Sequence, residues 1–296
     1  MPAIEIVEVA PRDGLQNEAR LLPTAQKLEL IRRAIAAGAR RIEVTSFVNP
    51  RRVPQMADAD AVAEGLPERD DVTFIALVLN QRGAERALAT RIDELGAVCV
   101  ASDTFGIRNQ GQSAAESLEV AREAVALARA AGRRAQITIA TAFGCPFEGE
   151  VPLARVVEMA KRAADAAPRE VGLADTIGVA VPAQVGEAVI RVAEAIAPLP
   201  VRVHFHDTRN TAIANVWAAI QAGATVVDAA LGGLGGCPFA PGASGNVATE
   251  DVLYLLDRSG IATGYDRASA IDAATWLTGE VGRTMRCAPP FPPIAA

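Results

Sequence analysis

REVGLADTIGVAVPAQVGEAVIRVAEAIAPLPVRVHFHD, residues 169–207, contains two short β-branched runs separated by a long alanine- and valine-rich one. REVGLAD (169–175) and VRVHFH (201–206) read as buried strands, and 182–197 reads as a helix between them. Apolar runs of this kind suit parallel strands covered on both faces. The same alternation extends in both directions. IEIVEV (4–9), RRIEVT (40–45), VTFIALV (72–78), AVCVAS (97–102) and AQITIAT (135–141) are strands upstream, and ATVVDAAL (224–231) follows. Helices are predicted at 24–38, 55–64, 81–92, 114–131, 151–166 and 211–222, with a last pair at 248–258 and 265–284. Eight strand–helix alternations without a linker predict one α/β domain over 1–296, a (β/α)8 TIM barrel with a C-terminal helical extension. The barrel is expected over about 4–258, with the extra helix and a proline-rich tail over 259–296. A doubly wound sheet would place a glycine-rich phosphate loop after the first strand. This chain has APRDGLQNE (10–18) there.

Composition narrows the partners. The chain has 296 residues, 50% of them hydrophobic but only 4% aromatic, so the core is built of Ala, Val, Ile and Leu. A formal charge of −6 argues against nucleic acid or an anionic membrane as partner. An anionic small molecule needs only local cations. The segment MPAIEIVEVAPRD (1–13) carries no basic region followed by an apolar run, and no apolar stretch is long enough to span a bilayer. A cytoplasmic location is expected. Cys99, Cys145, Cys237 and Cys287 are far apart and show no zinc-type spacing.

Barrel enzymes gather their chemistry at the C-terminal ends of the strands, and the reactive residues of this chain fall there. Arg12 and Asp13 follow strand one, Glu43 and Ser46 close strand two, Asp175 closes strand six, and His204 and His206 close strand seven. The two histidines are the only ones in the chain, and at i and i+2 their side chains share one face of the strand. Paired imidazoles suit a divalent metal, and oxygen ligands at the remaining positions extend the choice to Mg²⁺ or Mn²⁺. Asp13 is either the carboxylate partner of that site or a turn residue of PRDG (11–14). Arg12 is either a fixed cation for a developing negative charge or a surface ion pair. LGGLGGCPFAPGASGN (231–246) is rich enough in glycine to fold sharply over the mouth, with Cys237 at its centre.

Read together, VAPRDGLQNE (9–18), TSFVNPRRVPQMAD (45–58), GCPFEG (144–149), ADTIGVAVP (174–182), HFHDT (204–208) and GGLGGCPFAPGASGNVATED (232–251) resemble the 3-hydroxy-3-methylglutaryl-CoA lyase family, in order and over nearly the whole chain. The resemblance implies a carbon–carbon lyase that splits an acyl-CoA into acetyl-CoA and acetoacetate, as in leucine breakdown. It implies Asp13, His204, His206 and Asn246 as ligands of Mg²⁺ or Mn²⁺, and Arg12 as the group that stabilises an enolate. Cys237 then acts in proton transfer, while Glu43 and Asp175 support the metal shell and the substrate. Arg51 and Arg52 are either contacts for the CoA phosphates or a solvated charge pair, and the last helix and tail are candidates for contact with a second copy in a homodimer or higher homo-oligomer.

Two departures bear on the substrate. Arg209 and Asn210 stand where the family usually has Tyr-Gly, and SDTFGIRNQGQS (102–113) adds Asp103 and Arg108 to the loop after strand four. A related substrate, citramalyl-CoA or a longer isoprenoid glutaryl-CoA, is the nearest alternative. A Claisen-condensing synthase of the isopropylmalate or homocitrate type shares the Arg-Asp pair and the paired histidines. The cysteine loop argues against it.

We expect thiol alkylation to inactivate the protein and a bound substrate analogue to protect it. Cys237→Ala should lower turnover about 10²-fold or more, the scale of a lost proton-transfer group. Near-normal turnover in that variant would move the proton-transfer role to another residue.

Overall fold

The computed structural model describes residues 3–236 and 245–285. Eight parallel strands close into a barrel in sequence order, each neighbour hydrogen-bonded to the next and β8 to β1. The strands are β1 (Glu5–Glu8), β2 (Arg41–Ser46), β3 (Thr73–Val78), β4 (Glu94–Val100), β5 (Arg134–Ala140), β6 (Val171–Asp175), β7 (Val201–Phe205) and β8 (Val226–Ala229). Around them run α1 (Thr24–Ala36), α2 (Ala59–Glu64), α3 (Gln81–Leu88), α4 (Asp103–Gln110), α5 (Ala114–Ala130), α6 (Leu153–Ala164), α7 (Pro182–Ile196), α8 (Ala212–Gln221) and α9 (Thr249–Arg258). The C-terminal extension is α10 (Arg267–Val281), which packs on α1, α9 and the turn after β8. The predicted tail beyond 285 lies outside the described residues. Among the described residues no helix is long and apolar enough to cross a membrane.

The structure moves two boundaries and adds one helix. Strand four starts at Glu94, three residues before the predicted AVCVAS run. Glu94 and Gly96 have poor strand propensity, and tertiary contacts override it. Glu94 is fully buried against Arg41, and a Cβ on Gly96 would sit 3.3 Å from Glu43 Oε1. The predicted helix at 55–64 begins as a single 3₁₀ turn, Pro54–Met56, and continues as α2. Helix α4 occupies what reads as a loop. Ser102 caps it by accepting from the Phe105 N–H, and Gly111, at φ +75°, ends it.

Charge is buried at the N-terminal end of the barrel. Arg41, 1% exposed, meets Glu94, Glu170 (2.9 Å) and Glu5 (3.2 Å). Arg169 adds contacts of 3.2 Å to both Glu5 and Glu94. Removing one member of such a group leaves the others charged and out of water, at a cost of about 3–5 kcal/mol. Arg41→Ala should therefore destabilise the barrel by roughly that amount. Urea denaturation measures it, and a loss below about 1 kcal/mol would show that water replaces the guanidinium.

Candidate active site

At the opposite end, a turn brings Arg12 and Asp13 into the mouth. Residues Ala10–Gly14 form one π-helical turn after β1, with all five residues buried. PRDG is therefore not a surface turn, and the ion pair of Arg12 is not on the surface. The guanidinium donates from Nε to Glu43 Oε2 (2.8 Å) and from Nη1 to Asp13 Oδ1 (2.5 Å). Burial opposes its charge, but Glu43 and Asp13 together raise its pKa above the ordinary value. Burial also raises the pKa of Glu43, with Arg12 working against it.

His204 lies on β7 and His206 directly follows the strand, so both rings project into the mouth, with centroids 5.2 Å apart. Asp13 Oδ2 lies 3.9 Å from His204 Nε2 and 3.7 Å from His206 Nε2. Asn246 Nδ2 donates to the same oxygen at 2.7 Å, while Asn246 Oδ1 is buried without a hydrogen-bond partner. Burial would raise the pKa of Asp13, but Arg12, His204, His206 and the bond from Asn246 hold it well below the usual carboxylate range. The carboxylate is thus ionised and ready to act as a ligand.

These residues fit a divalent cation. Two atoms bonded to one cation at about 2.1 Å lie roughly 3.0 Å apart when adjacent and about 4.2 Å apart when opposite. The Asp13 and histidine distances fall inside that range, and one ligand atom from each of the three residues lies within 4.8 Å of the others. The donor set is two imidazole nitrogens and a carboxylate oxygen, with an unpartnered amide oxygen beside them.

The glycine-rich segment builds part of this geometry. Its returning arm pairs with the ends of β7 and β8: Asp207 N donates to Gly245 O (2.9 Å) and Ala230 N to Val247 O (3.0 Å). That pairing sets Asn246 opposite His206. The two arms approach so closely that a Cβ on Gly245 would lie 1.8 Å from Gly233 O. On Gly235, at φ +119°, a Cβ would lie 2.5 Å from Asn246 Nδ2. Cys237 itself lies outside the described residues.

Asp175, expected to support the metal shell and the substrate, turns its carboxylate to the backbone and not into the cavity. Both its oxygens accept backbone N–H groups, from Val179 and Ala180 at 2.9 Å each, and it is not among the residues lining the cavity. It shapes the turn after β6, and its carbonyl accepts from the His206 N–H at 3.3 Å. Of the arginine pair, Arg52 lines the cavity and donates to Asn109 O at 3.0 Å, whereas Arg51 does not line it. Arg108 joins Arg52 in the lining and stands 4.2 Å from the centre of the Phe147 ring. Arg209 does not line the cavity; it donates to Gly178 O (2.7 Å), and Asn210 takes a left-handed φ of +57°. The cavity, about 730 Å³, runs from the histidines to Arg52 and Arg108.

Sequence reasoning passed over two residues in the wall of this cavity. Asp228 on β8 lies 3.1 Å from His204 Nδ1, and Arg202 on β7 lies 3.5 Å from Asp228. The only signal was a lone charge inside each apolar strand, which buried surroundings must pair. Burial raises and lowers these groups in turn: it would raise Asp228, but Arg202 and His204 bring its pKa below the ordinary value. It would lower His204, but Asp228 and Asp13 bring that pKa above the ordinary value.

A closed parallel barrel with an Asp and two His converging at the C-terminal ends of its strands defines a barrel enzyme with a site for a divalent metal. Comparison with known proteins places it more closely: residues 3–276 match the HMGL-like family, and the chain belongs to that family of carbon–carbon lyases. It is 45% identical to the (R)-citramalyl-CoA lyase of Chloroflexus aurantiacus, over 100% of this chain and 98% of that protein. It is 41% identical to a hydroxymethylglutaryl-CoA lyase of Bacillus subtilis, over 95% of this chain and 94% of that one. The crystal structure of an HMG-CoA lyase from Bacillus subtilis superposes with a TM-score of 0.91 at 40% identity, covering 97% of each chain. An HMG-CoA lyase from Acinetobacter baumannii, in complex with coenzyme A and 3-methylmalate, superposes at 0.92 with 38% identity, covering 96% of this chain and 93% of that one.

Two buried carboxyls anchor the base of the glycine-rich segment. Glu8 accepts from Ala10 N (2.9 Å), Leu231 N (3.0 Å) and Thr249 Oγ1 (2.7 Å), and Glu250 accepts from Gly232 N (3.1 Å). Burial pushes each carboxyl up to about 7 from an ordinary 4.5, against the lowering effect of these bonds. A group whose folded pKa is raised contributes stability that is full below its unfolded pKa and lost as pH rises through the folded one. Stability from Glu8 and Glu250 should therefore decline between about pH 4.5 and pH 7. Glu8→Gln keeps an acceptor oxygen, so the variant should gain on the wild type as pH rises from about 5 to about 8. Urea denaturation at the two pH values checks this, and parallel pH dependence in both proteins would overturn it.

Proposed function

We propose that the protein cleaves 3-hydroxy-3-methylglutaryl-CoA to acetyl-CoA and acetoacetate, with Mg²⁺ or Mn²⁺ as cofactor. The observation that carries this reading is the set of Asp13, His204, His206 and Asn246 next to the clamped guanidinium of Arg12 in one cavity. Asp13, His204, His206 and Asn246 would hold the cation. When bound, it supplies Lewis acidity that lowers the pKa of the substrate's tertiary hydroxyl.

Once a base has taken the hydroxyl proton, the oxygen forms a carbonyl at C3 as the bond between C2 and C3 breaks, and that bond's electron pair moves into the thioester as an enolate. Arg12 serves that charge: its position is set by Glu43 and Asp13, so it need not reorganise as the enolate forms. Glu43 keeps Arg12 aimed, and Asp175 acts at a distance by shaping the turn beside His206. Cys237 returns a proton to C2, giving acetyl-CoA. Arg52 and Arg108, at the outer part of the cavity lining, suit the phosphates of CoA.

A second reading is favoured by the 45% identity to a citramalyl-CoA lyase over the whole chain. Citramalyl-CoA lacks one methylene between the carbinol carbon and the carboxylate. The same bond cleavage then yields acetyl-CoA and pyruvate. Incubation with Mg²⁺ and each thioester separately decides between them: acetoacetate release supports the first reading and pyruvate release the second. Acetyl-CoA should appear with the preferred thioester and cease on chelation of the metal. Turnover of neither thioester would overturn both readings.

A further inference from the structure

His204 meets carboxylates on both ring nitrogens. Its Nε2 faces Asp13 Oδ2 at 3.9 Å, and its Nδ1 lies 3.1 Å from Asp228 Oδ2. A neutral imidazole has one N–H and one lone pair. A carboxylate at Nδ1 takes the N–H and leaves the lone pair on Nε2, the edge turned toward Asp13. The rest of Asp228 is held from below. Arg202 Nη1 is 3.5 Å from Asp228 Oδ1, Arg202 Nη2 donates to Thr138 Oγ1, and Arg202 Nε is 3.5 Å from Glu170 Oε1. Glu170 in turn accepts from Arg41 at 3.0 Å. A line of buried alternating charges thus climbs from the floor of the barrel to His204.

We propose that Asp228 is the positioning residue of the metal ligand His204: it fixes the Nδ1–H tautomer and the ring plane so that Nε2 offers its lone pair to the cation, while Arg202 holds the Asp228 carboxylate in place. The proposal rests on the metal reading given above. The competing account makes Asp228 a counter-ion of Arg202 alone. Geometry favours His204: its contact with Asp228 is 3.1 Å, whereas Asp228 Oδ1 makes no hydrogen bond, Arg202 standing 3.5 Å away. Carboxylates that orient metal-bound histidines in this way typically matter 10- to 100-fold in metal affinity.

Because His204 and His206 are the only histidines, long-range ¹⁵N NMR of the metal-free protein reads both tautomers directly, with His206→Gln assigning the signals. At mildly alkaline pH, wild-type His204 should show a single Nδ1–H form. Asp228→Ala should give a tautomer mixture and bind Mn²⁺ about 10- to 100-fold more weakly by calorimetry. Asp228→Asn, which keeps an acceptor oxygen, should fall between the two and carries the same readouts where the alanine variant does not fold. An unchanged tautomer and a Mn²⁺ affinity within about twofold of wild type in either folded variant would overturn the proposal, even with a lowered melting temperature. Wild-type protein that binds no Mn²⁺ would overturn the metal reading and the ligand role with it. The tautomer of the metal-free protein is read separately, so that failure is distinguishable from a failure of Asp228 to orient His204.

Discussion

Asp13 Oδ2 is the atom on which three separate pieces of the chain converge. The turn after β1 carries it, the end of β7 brings two imidazole nitrogens to 3.7 and 3.9 Å, and the returning arm of the glycine-rich segment delivers Asn246 to 2.7 Å. A buried carboxylate so placed would be costly alone, and it is stable because Arg12 pairs with its other oxygen. The same pair sets Arg12, the cation proposed to stabilise the enolate, beside the residues proposed to hold the metal. One electrostatic requirement therefore arranges two parts of the chemistry.

Charge continues downward from that point. Between the mouth and the Arg41 cluster at the floor, Glu43, Arg202 and Asp228 occupy space that most barrels of this size fill with branched apolar side chains. Glycines make the room. A Cβ on Gly172 would stand 3.1 Å from Thr138 Oγ1 and 3.2 Å from Arg202 Nε, and one on Gly96 would press on Glu43. The polar interior trades packing for orientation, since a guanidinium or carboxylate bound on several sides has few positions open to it.

Much of the fold was legible in the chain because buried parallel strands and amphipathic helices each leave a local period. The paired histidines were legible for the same reason: spacing along a strand sets the face on which side chains project. The start of β4 was not, because Glu94 and Gly96 belong in a strand only when Arg41 and Glu43 lie opposite them. Helix α4 was not legible as a helix, because its apolar period is weak. The way Asp175 faces was not legible either, since its position at a strand end is the same whether its oxygens face the cavity or the backbone of the following turn.

The amino-acid sequence by itself determined the strand–helix alternation, the barrel it closes into and the residue types at its mouth, because each depends on local pattern and on the geometry of a single element. The tertiary structure decided which of those residues share an atom. It brought Asn246 to Asp13 across 233 positions of sequence, joined His204 to Asp228 and Asp228 to Arg202, and turned Asp175 into its own loop. Such contacts arise from closure of the barrel, which places side chains from distant strands within hydrogen-bonding distance and leaves no mark on the spacing of either partner.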